Sequence, residues 1–573
     1  MKGNKQKLFW GIMVFIGLAN TLQAVFTELI YDEAYYWYFS KQLDWGYFDH
    51  PPMVAAMIAL GQLFFKGTLG VRIIGVLSSL GAYLLIWNTV SKPHKDNHIG
   101  SFFVLVCSMT LLNAYGFFTL PDTPLLFFTA LLFYLLKNFF EKPNWALSVS
   151  LGLVMAALMY SKYHAVLVII GVIVGVPSLL KNKYAWGAVG VSLLAYSPHL
   201  LWLYSNDFVS VAYHLFERPN RAYDFFDFGL GYFINLMALF GFCFPFIYKA
   251  LFGLSKDTAL KKSLFGVIVT VLVFFFISSF NRRIQTQWMV VICIPTVLLI
   301  FDALTQNPKL KKQLWVSGWI NIGLIVFLRI GLMYEPLLPI SYEAHGNKAW
   351  TAALKEKVGD QIVVFENSYR NAPMYAFYTG NKAYSLNTIN YRQNQYNIDG
   401  SENELIGENV AYISKDSTGA YTGKSTADFS FEKAKGVPYY GRWISSFKPY
   451  NQLKPELVQA KDSSLVFELQ NPYSFQISIE ELRFGVAFLN EYKQFQHLSE
   501  FDSIRVFSKK PSPINPDNLN RILMPGEKIT LEAKYLLKDL DLTMGYFKLS
   551  CSAHSMPFLL GAKSHKIATW KLN

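Results

Sequence analysis

Long apolar runs alternate with short polar loops through the first 335 residues, and then the alternation stops. The runs lie near 8–26, 68–90, 99–117, 122–140, 145–160, 163–180, 184–204, 229–250, 262–280, 286–304 and 313–333. Apolar runs of about 18 residues cross a bilayer as helices. Two shorter stretches, near 33–40 and 52–65, are rich in Tyr, Trp and Phe and too short or too polar to span, so they read as interfacial helices on the membrane surface. The pattern predicts a polytopic α-helical membrane domain of about 11–13 spans over residues 1–340. Beyond it, QIVVF (361–365) and VAYI (410–413) are β-prone, and helical patterns cover 349–358 and 372–379. This alternation predicts an extracytoplasmic α/β domain over 341–435. Short alternating strands at 464–469, 476–479, 484–488, 503–507, 528–535 and 545–550, separated by turns at Pro511-Ser512-Pro513 and Pro525-Gly526, predict a β-sandwich-like domain over 436–573.

Charge fixes the orientation. With Lys2, Lys5 and Lys7 in the cytoplasm, every second loop carries lysine: Lys92 and Lys95, Lys137 and Lys142, Lys181 and Lys183, Lys256, Lys261 and Lys262, then Lys309, Lys311 and Lys312. That is the positive-inside pattern of a multi-pass protein of a bacterial inner membrane with its C-terminal part outside. The net charge of +13 is largely spent in these loops and gives no reason to invoke nucleic acid. Hydrophobic residues make up 52% of the chain and charged residues 16%, which excludes an ordinary soluble protein. Cys107, Cys243, Cys293 and Cys551 form neither a metal knuckle nor a disulfide framework. The first apolar run lacks a small-residue cleavage site near Thr27 and reads as a retained span rather than a signal peptide.

The outer loops collect acids, bases and aromatics instead. The first carries Tyr31-Asp32-Glu33 and Tyr47-Phe48-Asp49-His50-Pro51-Pro52. A carboxylate at the membrane surface can serve as a general base, but acids also stabilise helix N-termini. The Pro121-Asp122-Thr123-Pro124 turn offers a second acid, which can equally cap a helix. Lys162 and Tyr163 sit in a tight turn where Lys162 can snorkel to headgroups. Arg218 and Arg221, then Arg282 and Arg283, stand where outer loops ordinarily avoid arginine, and a planar guanidinium fork suits phosphate or lipid headgroups. No P-loop or dinucleotide fingerprint occurs.

These motifs, in this order and on one side, resemble the GT-C class of polyprenyl-phosphate-dependent glycosyltransferases, nearest to bacterial relatives of the dolichyl-phosphate-mannose protein mannosyltransferases and of the lipid A aminoarabinose transferase. The resemblance rests on Asp32-Glu33, the 47–52 stretch with Arg72 beyond it, Pro121-Asp122-Thr123-Pro124, Ser161-Lys162-Tyr163 and the loop from Arg282-Arg283 to Gln287-Trp288, and it covers residues 5–335. It implies a catalytic set of Asp32, Glu33 and Asp122, with Asp32 as the carboxylate that attacks the acceptor proton. It implies donor-phosphate contacts from His50, Lys162, Arg282 and Arg283, with His50 in a place where the aminoarabinose group mostly has Lys. Substrate contacts are expected from Tyr47, Asp49, Tyr163 and Arg218. Gln287-Trp288 departs from the family's acidic or His-bearing pattern, so Gln287 receives no catalytic role.

The implied reaction is an inverting transfer of a sugar from a polyprenyl-phosphate lipid to a lipid, glycan or protein acceptor. No cofactor is required; Asp32 and Asp122 are the carboxylates that could hold a divalent cation. A glycan ligase or polymerase using diphosphate-linked donors, a lipid or solute transporter, and a non-enzymatic sensor are the competing readings. The acid-rich first loop argues against the ligase, and the lack of recognisable internal repeats and of charged residues in mid-span argues against the transporter.

Overall fold

The computed structural model describes residues 2–90, 95–417, 427–461, 464–506, 521–534 and 545–567. The chain forms two compact units, one of Met1–Phe208 and Tyr223–His345, the other of Val209–Ala222 and Gly346–Asn573.

The first unit is helical. Among the described residues, seven helical stretches are long and apolar enough to cross a membrane: Gly3–Phe26, Gly67–Thr89, Asp122–Glu141, Phe225–Gly253, Ala259–Ser278, Thr286–Leu304 and Pro308–Met333. The remaining expected spans are helical but less regular. The run at 99–117 breaks into Ile99–Cys107 and Thr110–Ala114, while Trp145–Ser161 and Tyr163–Gly175 are shorter apolar helices. Lys183–Ser205 is continuous but carries Pro198 and His199. Both aromatic stretches of the first loop are helices, Tyr31–Phe39 and Met53–Phe64.

Caps fix where several helices start. Asn144, Asn182, Thr258 and Asn307 each accept a backbone N–H from the first turn of the helix that follows. Such caps satisfy donors that a helix start otherwise leaves orphaned. Cys293–Leu304 is the centre of the bundle, buried at every residue except Asp302. Arg329, in the last span, ties three helices together through Gln23, Asn20 and Asn113 and the Ala19 carbonyl.

The second unit contains a five-stranded sheet of β1 (Ile362–Glu366), β2 (Ala383–Leu386), β3 (Val410–Ser414), β4 (Phe429–Ala434) and β5 (Val437–Ile444), in the order β2-β1-β3-β5-β4. β1 pairs in parallel with β2 and β3, and β5 is antiparallel to β3 and β4. The helices Asn347–Val358 and Asn371–Thr379 accompany it, so this is the expected α/β domain. Its sheet runs to Ile444, past the boundary drawn at 435, because β5 spends its hydrogen bonds on β3 and β4.

Among the described residues ten further strands follow: β6 (Glu456–Lys461), β7 (Ser464–Gln470), β8 (Ile477–Ser478), β9 (Leu482–Leu489), β10 (Phe495–Glu500), β11 (Ile504–Val506), β12 (Ile522–Leu523), β13 (Lys528–Lys534), β14 (Tyr546–Ala553) and β15 (His565–Lys566). They form antiparallel sheets ordered β10-β9-β14-β15 and β11-β13-β7-β6, with a small β12-β8 pair. Phe467 of β7 meets Phe484 of β9 at 5.6 Å between ring centroids, the inter-sheet contact of a sandwich. The expected turn at Pro511-Ser512-Pro513, Phe507 and Tyr535 lie outside the described residues.

Candidate active site

The helix Tyr31–Phe39 brings Asp32 and Glu33 into its first turn, and the two carboxylates have different surroundings. Glu33 is fully buried. Arg72 donates to it twice, Nε to Oε1 at 2.8 Å and NH2 to Oε2 at 2.5 Å. The Thr119 N–H (3.0 Å) and Ile30 N–H (3.3 Å) add two further donors. The Ile30 bond is the carboxylate half of a capping box. Arg72 also donates to the carbonyls of Ala24, Thr27 and Glu28, which capture the end of the first span. One guanidinium thus joins the C-terminus of one helix to the N-terminus of the next, each at the dipole end that suits its charge. The expected catalytic role of Glu33 gives way to this one: a carboxylate fully buried and saturated by four donors holds the loop in place. Asp32, by contrast, is exposed.

The second acid is brought to the same place. Thr119 sits on Glu33, and Gly75 lets the turn approach closely, since a Cβ there would lie 2.4 Å from the Thr119 hydroxyl. Asp122 opens the helix Asp122–Glu141 without capping it. Its carboxylate is buried and takes the Lys162 ammonium at 2.7 and 2.9 Å. The Tyr115 hydroxyl donates to Asp122 at 3.4 Å and lies within electrostatic reach of Asp32 as well. Tyr342 likewise feels Asp32 and Glu33. Asp122 thus contacts both Tyr115 and Lys162, while Asp32 acts on Tyr115 only through space.

The rest of the first loop is scaffolding around this centre. Tyr47 is buried, stacked on Phe39 at 4.4 Å, and its hydroxyl donates to the Phe39 and Gln42 carbonyls while accepting from the Asp44 N–H. These bonds close the loop over which a substrate contact is expected. Asp49 is buried and accepts from the Tyr35 hydroxyl at 2.9 Å. His50 packs edge-on against Tyr36 and is partly exposed.

Tyr163 is oriented from behind. The His199 Nδ1 lies 2.7 Å from the Trp45 carbonyl, and its Nε2 lies 3.2 Å from the Tyr163 hydroxyl. A carbonyl only accepts, so Nδ1 carries the proton and Nε2 accepts from Tyr163. Trp202 donates to Asp44 at 2.7 Å and passes so close to Gly46 that a Cβ there would lie 2.3 Å from its ring.

The arginine loop packs beside this turn: Trp288 stacks on His164 at 5.9 Å, and Asn235 donates to the Ile284 carbonyl at 2.8 Å. Arg283 is exposed and Arg282 partly so. Arg218 belongs to the second unit, where its neighbour Glu217 pairs with Lys493 at 3.1 Å and Asn220 donates to the Tyr492 carbonyl.

Both Asp122 oxygens hold the Lys162 ammonium, with which a divalent cation between Asp32 and Asp122 would compete. Among the described residues, no group of three or more His, Cys, Asp and Glu side chains has a metal-holding arrangement. Sequence reading passed over Tyr35, Tyr115 and His199; the last two sit inside apolar stretches, where a polar group is itself a signal.

The family model of the dolichyl-phosphate-mannose-protein mannosyltransferases matches residues 49–202, a stretch that contains Asp122, Lys162, Tyr163 and His199. The lipid A galacturonosyltransferase RgtD of Rhizobium johnstonii is 24% identical over 400 residues, covering 64% of this chain and 79% of the relative. The crystal structure of ArnT from Cupriavidus metallidurans in the apo state superposes with a TM-score of 0.56 at 12% identity, covering 77% of this chain and 98% of that one. The same protein bound to undecaprenyl phosphate gives 0.56 at 12% identity, over 76% and 97%. The chain is thus a multi-pass membrane protein with the fold of the ArnT structures, similar over these stretches to membrane glycosyltransferases.

Proposed function

We propose that the protein transfers a sugar from a polyprenyl-phosphate donor to a hydroxyl or phosphate on a lipid, glycan or protein acceptor, at the outer face of the inner membrane and with inversion. Lysine in every second loop supports a cytoplasmic N-terminus and an outward-facing second unit. The undecaprenyl phosphate bound by the Cupriavidus protein supports the lipid donor. The lipid A galacturonosyltransferase supports a glycolipid acceptor.

One observation carries the assignment of roles: of the three acids in the cluster, Glu33 and Asp122 each hold a buried cation, while Asp32 is the exposed one. Asp32 takes the proton of the acceptor hydroxyl as its oxygen bonds to the anomeric carbon. The bond from that carbon to the phosphate oxygen breaks on the opposite face, and its electron pair leaves with polyprenyl phosphate. Charge builds on the sugar as in an oxocarbenium ion. Negative charge building on the phosphate is met by cationic groups, with His50, Arg282 and Arg283 as the candidates. Lys162, already bound to Asp122, shapes the field rather than gripping the phosphate directly.

The test supplies purified protein with a synthetic polyprenyl-phosphate sugar or with the nucleotide sugar, plus a membrane extract as the source of acceptor. Release of polyprenyl phosphate from the lipid donor alone, lost in Asp32→Asn, and a product of inverted anomeric configuration are expected. No release from any lipid-monophosphate sugar by folded protein overturns the reading.

A further inference from the structure

One cation of the helical unit has no part in the roles assigned so far. Arg329 lies in the Pro308–Met333 span, one turn before its end, and is half-buried. Four bonds leave its guanidinium: Nε to Gln23 Oε1 at 3.2 Å, NH1 to Asn20 Oδ1 at 2.9 Å and to Asn113 Oδ1 at 3.2 Å, and NH2 to the Ala19 carbonyl at 3.1 Å. Each ends on a neutral oxygen, so no countercharge offsets the expense of a cation within a span. An apolar side chain packs between helices without that cost. What the planar fork adds is a fixed geometry among three segments at once.

Both branches of the fork lead to the acidic turns. In the first, the Gln23 amide donates to the Thr27 hydroxyl at 2.6 Å and back to the Arg329 carbonyl at 3.1 Å. The Thr27 carbonyl accepts from Arg72 at 2.6 Å, and Arg72 holds Glu33, the neighbour of Asp32. In the second, the Asn113 carbonyl accepts from the Gly116 N–H at 3.0 Å. Gly116 sits so tightly on Asn20 that a Cβ there would lie 2.8 Å from the side-chain nitrogen. The turn that follows carries Tyr115, which bonds Asp122, and Thr119, which bonds Glu33. Between them, the Phe117 and Phe118 rings lie 4.4 Å apart, with Arg329 4.8 Å from the first and Arg72 5.2 Å from the second. Ile30, the residue before the acidic helix, clusters with the same two rings.

We infer that Arg329 is a positioning residue for the acidic cluster: acting through Gln23 and Asn113, it fixes where Asp32 and Asp122 stand relative to each other. The inference rests on the transferase reading, in which Asp32 is the base. A base that drifts by an ångström loses the reach that proton transfer needs.

The experiment uses the full chain in detergent, with a synthetic polyprenyl-phosphate sugar as donor and a membrane extract as acceptor. It measures kcat, donor KM, the unfolding temperature and amide hydrogen exchange. Arg329→Met is expected to lower kcat by ~10²-fold, with donor KM within about two-fold of wild type. Placed on Asp32→Asn, the same change is expected to cost less than about three-fold more, because the group it positions is already disabled. A general loss of folded protein multiplies with Asp32→Asn instead. An equal fold-loss on both backgrounds therefore overturns the inference, as does wild-type kcat in Arg329→Met or a change confined to donor KM. If Arg329→Met does not fold, Gln23→Leu and Asn113→Leu each cut one branch and carry the same expectations at ~10-fold. Hydrogen exchange separates the inference from the reading beneath it. Where wild type shows no donor turnover, faster exchange at 28–33 and 115–119 in Arg329→Met leaves the positioning standing while the transferase reading falls. Unchanged exchange in both segments overturns the positioning.

Discussion

Replacing Asp32 and Glu33 one at a time by their amides separates two roles that lie on adjacent residues. Glu33→Gln takes the anion out of a fully buried pair and leaves the Arg72 guanidinium without its countercharge. Breaking such a pair from one side costs about 3–5 kcal/mol. The bonds involved point the same way: two charge-assisted ones from Arg72 and two backbone N–H donors, against an amide that keeps a single acceptor oxygen. At roughly 2 °C per kcal/mol for a large domain, the unfolding temperature falls by about 5–10 °C. Asp32→Asn changes an exposed side chain, so its effect on stability should be well below that of Glu33→Gln, at about 1 kcal/mol or less. Turnover should nevertheless fall by about 10²–10⁴-fold, or about 3–5 kcal/mol in the barrier, the ordinary worth of a general base. Thermal unfolding in detergent reads the first quantity, and release of polyprenyl phosphate under saturating donor reads the second. The reasoning fails if Glu33→Gln unfolds with wild type, or if Asp32→Asn keeps its turnover.

Asp122→Asn and Lys162→Met, singly and together, should show a coupling energy of about 2–4 kcal/mol in unfolding, because each single change strands a buried charge that the double change removes; additive effects would deny the pair. Chelation with EDTA followed by magnesium should leave turnover within about two-fold, since Lys162 already occupies Asp122; loss with EDTA and recovery with the metal would restore a cation to the site. In the second unit, burial pushes the Lys548 ammonium down to about 8, with Glu217 opposing the shift and Lys454 and Lys493 adding to it. The unfolded chain then binds more protons between about pH 8 and pH 10, so stability rises with pH across that window. Lys548→Met should stabilise the chain at pH 7 by about 1–3 kcal/mol and flatten that rise, as seen in unfolding temperatures measured at pH 7, 8, 9 and 10; an identical pH profile in the variant would refute the assignment.

Apolar periodicity made the helical unit legible because a span must be long and uncharged wherever it sits. The two acidic turns were legible too, as polar clusters at span ends. What periodicity does not carry is which charge meets which. Glu33 finds Arg72 39 positions away and Asp122 finds Lys162 40 positions away, and both pairings depend on how three helices register against one another. Tyr47 and Arg218 mark the same limit. The tyrosine, in a loop full of polar residues, turned inward onto the Phe39 and Gln42 carbonyls, and the arginine lies in a segment that packs within the second unit. In the second unit, β4 and β5 lack a clean alternating apolar run and are strands because β3 offers an edge.

These pairings change what the acidic loop means. Adjacent residues on a helix are turned by about 100° from each other, so Asp32 and Glu33 cannot both face Arg72. The carboxylate that meets it anchors the helix, and the other is held at the surface on a start that cannot drift, because its neighbour is bonded to Arg72 of the Gly67–Thr89 helix and to the Thr119 turn, and Arg72 is bonded in turn to the first span's end. A general base must stay within hydrogen-bond reach of a hydroxyl through the reaction. On this arrangement, Arg72→Lys should cost turnover as well as stability even though it touches no substrate. A lysine keeps the charge but loses the fork that spans Glu33 and the three carbonyls, and Asp32 loses its fixed position with it.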